Sequence, residues 1–259
     1  MYHEIYRPEE RDRLKGLTNP VYNTGINVFQ KQMAYLYDKR MKTLTIDELF
    51  LKESSSAGEG AVCLTFDDGW RGNYLHAYPV LQEYGLKATF FIATDLIGKQ
   101  FYMTWEDIKE IAASGMSIQS HTVTHRPLPH MGGERVFFEL SESKRVIEER
   151  LGQGVRHLSL PHGIKDERIW NLAQEIGYKS ICTSDVGFQT WKPDGPWLRR
   201  INIGDKISLD QFHLIANGKN HAILGMIVAK RLKNVARGLI GINNYYKFYR
   251  WVFTKNVET

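Results

Sequence analysis

The chain has 259 residues, of which 24% are charged and 42% hydrophobic, values that are ordinary for a globular protein with a large core. Residues 219–259 hold eight Lys and Arg against one acid, a net charge of +7, so residues 1–218 carry −2 of the total of +5. The basic charge therefore belongs to a tail, which argues against a nucleic-acid-binding body.

The start of the chain, residues 1–4, is polar and charged rather than leader-like. The longest apolar run, 222–229, is far shorter than the ~20 residues that a membrane-spanning helix needs. Cys63 and Cys182 lie in strand-like runs without C-x-x-C spacing, so we expect free, buried thiols. Together these features predict a cytoplasmic protein.

Apolar residues at helical spacing predict a helix over 28–37, and Thr45 followed by Glu48 predicts a second, capped helix. Strands and helices then alternate. The predicted strands span 61–66, 88–93, 116–120, 155–160 and 178–183, and the predicted helices span 73–84, 104–113, 134–151 and 167–176. Glycines at the helix ends and this alternation predict a parallel sheet, and chemistry at the strand ends favours a barrel.

Asp67 and Asp68 follow the first of these strands, and Gly69 allows a sharp turn after them. Adjacent carboxylates repel one another when buried, so we expect a cation, most economically a metal ion, at this strand end.

His121 and His125 follow the strand at 116–120. With Asp68 they form a three-ligand divalent site that has an open position, the catalytic kind. Asp67 is then the general base for an attacking water. The alternatives are loop histidines bonded to backbone and an aspartate that caps a helix.

The stretches 65–69 and 120–125 resemble the motifs of polysaccharide deacetylases of the NodB-homology type, the carbohydrate esterase family 4, over residues 2–215. The resemblance implies an irregular (β/α)7 barrel, residues 1–218, followed by the basic tail, 219–259. It implies a hydrolase that uses a divalent metal, with Zn²⁺ favoured over Co²⁺ or Ni²⁺. The expected reaction releases acetate from N-acetyl or O-acetyl groups of a polysaccharide or lipid-linked oligosaccharide.

The stretch 159–163 resembles the family's Arg-x-Pro-Tyr-Gly motif. The resemblance makes the backbone N–H of His162 an oxyanion donor and places Pro161 and Gly163 in the substrate site. Serine stands in the arginine position, so the usual brace of Asp67 is missing from this motif.

The resemblance also implies a general acid. The family's late Leu-x-His motif is absent, but Tyr2-His3 resembles an N-terminal Tyr-His of a branch that acts on exopolysaccharides such as poly-N-acetylglucosamine. We therefore expect His3 to protonate the leaving nitrogen, with His162 and other histidines as competitors. Only two residues precede His3, so we also expect a frayed end that holds it loosely.

Aromatic residues near the expected mouth could stack on sugar rings or pack in the core, and Trp70 is our choice for a substrate contact. The others are Tyr102, Trp105, Trp191 and Trp197.

Three other functions fit part of the pattern. The missing arginine favours a non-catalytic barrel that binds a carbohydrate or a partner, and hydrolysis of a small cyclic amide occurs in some relatives. A two-histidine, one-carboxylate iron oxygenase fits the ligands but gives no role to Asp67. Of partners, the sequence predicts an N-acetylated glycan and no nucleic acid.

The tail carries apolar residues at helical spacing, with basic residues mainly between them, and ends in aromatics. The apolar positions are Leu224, Val228, Leu232, Val235, Leu239 and Ile242. This pattern is typical of a helix that lies on an anionic membrane, here the inner surface. The alternative is a helix packed on the barrel with a solvated basic face.

Overall fold

The structure, a computed structural model, describes residues 1–50, 60–189 and 195–240, with side chains to residue 235. Trp191 and Ile242 lie outside the described residues.

Two short strands, β1 (Ile5–Tyr6) and β2 (Thr24–Gly25), pair in parallel near the start of the chain. The main sheet has six parallel strands in chain order, which are β3 (Leu64–Phe66), β4 (Ala88–Ile92), β5 (Ser117–Ser120), β6 (His157–Ser159), β7 (Ser180–Cys182) and β8 (Trp197–Leu198). Every pairing in it is between neighbours in sequence, as the predicted alternation requires.

The helices lie before, between and after these strands. They are α1 (Ile26–Asp38), α2 (Ile46–Leu49), α3 (Tyr78–Glu83), α4 (Trp105–Ala113), α5 (Gly133–Leu151), α6 (Glu167–Ile176), α7 (Leu209–Ala216) and α8 (Leu224–Ile240). Of the helices within the described ranges, none combines the length and apolar character needed to cross a bilayer.

Local sequence explains where several helices begin and end. The Thr45 side chain accepts a hydrogen bond from the Glu48 N–H, and Thr104 forms the same kind of capping box at α4. Gly152 ends α5 at a φ of 65°, where a side chain would be strained. The helix predicted over 73–84 begins with a π-helical turn at residues 73–77 and becomes α-helical at α3. Pro79 explains this, because it lacks the N–H that would extend the α-helical hydrogen bonds towards the N-terminus.

The first residues of the chain fill the gap between the two ends of the sheet. The Tyr2 N–H donates to the Thr65 carbonyl at 2.7 Å, and the Asp67 N–H donates to the Tyr2 carbonyl at 3.0 Å. On the other side, the Ile203 N–H donates to the Met1 carbonyl at 2.9 Å. The expectation of a frayed end was wrong, because this segment takes part in closing the barrel.

The Tyr2 side chain fixes this closure from the inside. Its ring is 1% exposed, stacks on Phe66 at 5.4 Å and meets Phe29 edge-on at 5.2 Å. Its hydroxyl donates to the Gln32 side chain at 2.9 Å. Core packing therefore fixes Tyr2, and with it the backbone that leads into His3.

Cys63 and Cys182 are both free thiols, as predicted. Cys182 is also buried, as predicted, whereas Cys63 is only half-buried.

We predict that Tyr2→Ala lowers the free energy of unfolding by about 3–5 kcal/mol, because it removes a large buried side chain that the core cannot refill. Urea denaturation measures this. Tyr37→Ala is the control, since Tyr37 is 56% exposed and should change stability by less than about 0.5 kcal/mol. Equal effects in the two variants would mean that the start of the chain is not anchored by this ring.

Candidate metal centre and catalytic residues

The candidate site lies at the carboxyl ends of β3, β5 and β6, where loops leave the sheet. Four non-glycine residues there adopt left-handed backbone conformations: Asp68 (φ 75°), Thr122 (φ 70°), His125 (φ 57°) and His162 (φ 61°). Such conformations are costly and cluster at sites where side chains must be aimed precisely at one point. The loops after β5 and β6 therefore come close to Asp68, which lies in the loop after β3.

Asp68, His121 and His125 meet as the sequence predicts. The Nε2 atoms of His121 and His125 lie 3.1 and 3.0 Å from Asp68 Oδ1. That oxygen is buried and makes no hydrogen bond, so the contacts lack hydrogen-bond geometry. An unsatisfied buried oxygen that faces two imidazole nitrogens suits a divalent cation, and these residues therefore fit a metal site.

Neighbouring groups orient the three ligands. His121 Nδ1 contacts the Ser159 carbonyl at 2.7 Å, which leaves Nε2 to face Asp68. The Thr124 hydroxyl donates to the buried Glu139 at 2.7 Å and so fixes the loop that carries both histidines.

Trp70 has a different role from the predicted one. Its Nε1–H donates to Asp68 Oδ2 at 2.9 Å, which leaves the other oxygen for a metal. The indole is only 6% exposed and stacks on Tyr102 at 4.6 Å. The expectation that Trp70 stacks on a sugar was therefore wrong, because almost none of the ring is accessible.

Asp67 is braced by a residue that sequence reasoning missed. Two guanidinium nitrogens of Arg200, which follows β8, donate to Asp67 Oδ1 and Oδ2 at 2.7 and 2.8 Å. The Ser159 hydroxyl donates to Asp67 at 3.0 Å and accepts from Arg200 at 2.8 Å. The three buried side chains form a closed network, and the forked geometry is the strong form of this ion pair.

This pairing decides the charge of Asp67. Burial alone would raise the pKa of the carboxyl group, but Arg200 and His121 outweigh burial and hold the pKa at about 2. The pKa of Asp68 also lies well below its usual value, because His125 and His121 outweigh its burial. Both carboxylates are therefore ionised at neutral pH.

His3 lies at the same end of the barrel. Its ring packs on Tyr22 with centroids 4.6 Å apart, and its Nδ1 is buried without a hydrogen bond. Burial lowers the pKa of His3, although Asp68 and Asp67 are near enough to oppose that shift. Burial therefore favours the neutral imidazole, and the charges of both carboxylates act on it.

His162 follows β6, and its ring lies 5.7 Å from that of His125. Pro161 and Gly163 are both buried beside it. A Cβ on Gly163 would stand 2.3 Å from the Ser184 backbone, so this glycine permits a close contact. We revise the roles of Pro161 and Gly163 from substrate contacts to supports of the His162 loop.

Two competitors of His3 are occupied elsewhere. His76 Nε2 pairs with Glu10 at 2.8 Å, and His157 Nδ1 contacts the Ser180 hydroxyl at 2.8 Å near the beginning of β6. Neither is therefore placed to protonate a leaving group at the carboxyl end of the barrel.

A parallel barrel that gathers two carboxylates and two histidines at the carboxyl ends of its strands has the layout of a barrel enzyme's active site. The polysaccharide deacetylase family model matches residues 54–181. YxkH of Bacillus subtilis strain 168, itself assigned by name to the polysaccharide deacetylases, is 33% identical over 186 residues, 71% of this chain and 67% of YxkH. The chain belongs to the polysaccharide deacetylase family.

Two further proteins extend the comparison. The solved structure of the Streptococcus pyogenes deacetylase PplD in complex with acetate superposes with a TM-score of 0.74 at 28% identity, covering 84% of this chain and 96% of PplD. The poly-β-1,6-N-acetyl-D-glucosamine N-deacetylase of Staphylococcus aureus strain MRSA252 is 22% identical over 199 residues, 71% of this chain and 69% of that protein. The predictions of family, barrel type and hydrolase are confirmed, and the iron oxygenase reading is disfavoured.

We predict that Arg200→Ala lowers the free energy of unfolding by about 3–5 kcal/mol, because it leaves Asp67 buried without its cation. In the wild type, the stability from this pair is present above the usual pKa of 3.8 and is lost as pH falls towards about 2. In the variant the pKa of Asp67 rises, so the acid side of the pH–activity profile should move to higher pH. Urea denaturation and initial rates across pH measure both effects.

Arg200→Lys should fall between the wild type and Arg200→Ala, because it keeps the charge but loses the fork. Arg199→Ala is the matched control, since Arg199 is the exposed neighbour. An unchanged pH profile in Arg200→Ala would contradict the bracing role.

Proposed function

We propose that this protein is a metal-dependent deacetylase that hydrolyses the N-acetyl groups of a glycan and releases acetate. The observation that carries the proposal is the buried Asp68 oxygen that faces two imidazole nitrogens, next to a second carboxylate with its own arginine. Asp68 is thus placed to bind a cation, and Asp67 is placed to accept a proton.

Asp68, His121 and His125 would hold the metal. Two nitrogen ligands and one oxygen ligand suit Zn²⁺, with Co²⁺ or Ni²⁺ as alternatives. A divalent cation held there would act as a Lewis acid and would lower the pKa of a bound water, which makes that water a better nucleophile.

Asp67 accepts the proton of the attacking water. Because Arg200 keeps its pKa at about 2, the base is ionised at every working pH. The same low pKa makes Asp67 a weak base that gives its proton up readily, so the proton does not stay trapped in the site.

His162 and His3 complete the proposed set. The left-handed His162 loop supplies a backbone N–H for the oxyanion, as in the family motif that it resembles. His3 protonates the leaving nitrogen. Its lowered pKa makes the imidazolium a stronger acid, although less of it is present at neutral pH.

The proposed substrate is an N-acetylglucosamine polymer or oligomer, and poly-β-1,6-N-acetylglucosamine is the first to test because a relative is named for it. The non-catalytic reading rested on the missing arginine, and Arg200 removes that argument. Cytoplasmic localisation stays a prediction.

Acetate release from β-1,6- and β-1,4-linked N-acetylglucosamine oligomers tests the proposal. Full-length protein treated with a chelator should be inactive, and Zn²⁺, Co²⁺ or Ni²⁺ should restore release. An O-acetylated glycan serves as the comparison substrate. No acetate release from any of these with any of the three metals would contradict the proposed function.

We predict that Asp68→Ala, His121→Ala and His125→Ala each lose both bound metal and activity. Asp67→Asn should keep the metal and lose turnover by roughly 10²–10⁴-fold, because it removes the proton acceptor while all three metal ligands remain. Metal content by mass spectrometry and initial rates separate the two classes. Near wild-type acetate release by Asp67→Asn would show that Asp67 is not the general base.

We predict that His3→Ala lowers turnover on an N-acetyl substrate by roughly 10²–10⁴-fold, because an amine must be protonated as it leaves. An acetyl ester with a good leaving group should be spared, since it departs without a proton. His76→Ala is the control histidine, which lies in a separate ion pair with Glu10. Equal losses on amide and ester would mean that His3 acts by supporting the fold or the metal site.

A further inference from the structure

The helix α8 carries an apolar stripe that faces away from the protein. Leu224, Val228, Leu232 and Val235 recur at helical spacing and are 55–66% exposed. Ile223, just before the helix, is buried, and Met226 packs against the core on the other side. The alternative that the predicted apolar face packs on the barrel is therefore wrong for these four residues.

The helix also lies beside the candidate active site. Lys230 Nζ donates to the Ser184 hydroxyl at 2.6 Å, and this hydroxyl donates to the His162 carbonyl at 3.3 Å. One face of α8 is thus tied to the loop that carries the proposed oxyanion donor. The stripe lies on the opposite face of α8, so a surface that received it would be separated from this loop by about the width of one helix, roughly 10 Å.

Charge identifies the kind of surface. Residues 219–257 contain eight Lys and Arg and no acid, whereas residues 1–218 carry −2. Arg231 is exposed and lies in the helical row between Val228 and Val235. A second copy would oppose one basic tail with another, and residues 241–259, with three cations and one acid, offer little countercharge. An anionic bilayer supplies both an apolar layer and negative charge.

We propose that the stripe of α8 docks into the headgroup region of an anionic bilayer and holds the mouth of the active site near the membrane surface. Docking is independent of the proposed function. Only the consequence, that the glycan is met at the membrane, rests on that function.

Vesicle co-sedimentation tests this with the full-length protein. Vesicles of phosphatidylcholine with phosphatidylglycerol should pellet the protein, and vesicles of phosphatidylcholine alone should pellet little of it. Binding should weaken with added salt, because exposed charges are screened. The double variant Val228→Ser, Leu232→Ser should bind at least about tenfold more weakly, since less apolar area is buried in the lipid.

Two further variants sharpen the result. Arg231→Glu should also weaken binding to anionic vesicles. Phe137→Ser is the matched control, because Phe137 is 47% exposed on α5 and should leave binding unchanged. All of these positions are on the surface, so circular dichroism and acetate release from a soluble oligomer should match the wild type.

Equal pelleting of wild type and double variant would overturn the proposal, and so would equal binding to neutral and anionic vesicles. A wild-type dimer that the double variant loses, without vesicle binding, would assign the stripe to a second copy and also overturn it. Vesicle binding by a protein that releases no acetate would uphold docking and contradict only the proposed function.

Discussion

Two carboxylates buried side by side at the end of β3 set the terms for the rest of the site. Asp67 and Asp68 are 2% and 8% exposed, and neither could remain ionised there without a positive partner. Arg200 neutralises Asp67, while Asp68 keeps one oxygen without a hydrogen bond. The two carboxylates are chemically identical, but their partners differ. The charge of Asp67 is neutralised by Arg200, whereas Asp68 still needs a cation, so the two can have different roles.

Closure of the barrel is what brings these partners together. The Tyr2 backbone bonds to Thr65 and Asp67 on one edge of the sheet, and Met1 bonds to Ile203 near the other edge. His3, Asp67 and Arg200 therefore come from the three segments that meet at this seam. A site at a seam depends on the whole sheet, so changes in core packing under Tyr2 would reach the catalytic groups without touching them.

The sequence predicted those features whose signals are local. Strand ends, capping boxes and helix-ending glycines depend on a few neighbouring residues, and the Asp68–His121–His125 cluster follows because parallel strands end at one edge. Arg200 was missed because it lies 133 residues from Asp67, after a two-residue strand that has no periodic pattern. Trp70 was assigned the wrong role because burial of an aromatic ring depends on its tertiary contacts, here with Tyr102.

The serine in the arginine position shows why a site is better compared by geometry than by motif. In the sequence, Ser159 stands where the family motif has an arginine that braces the catalytic base, and its presence favours a non-catalytic barrel. In three dimensions Ser159 is the middle of the brace, since it accepts from Arg200 and donates to Asp67. A short side chain on β6 leaves room for a long one that reaches across from the end of β8. The physical requirement is a forked cation against a buried carboxylate, and the fold can meet it from either strand.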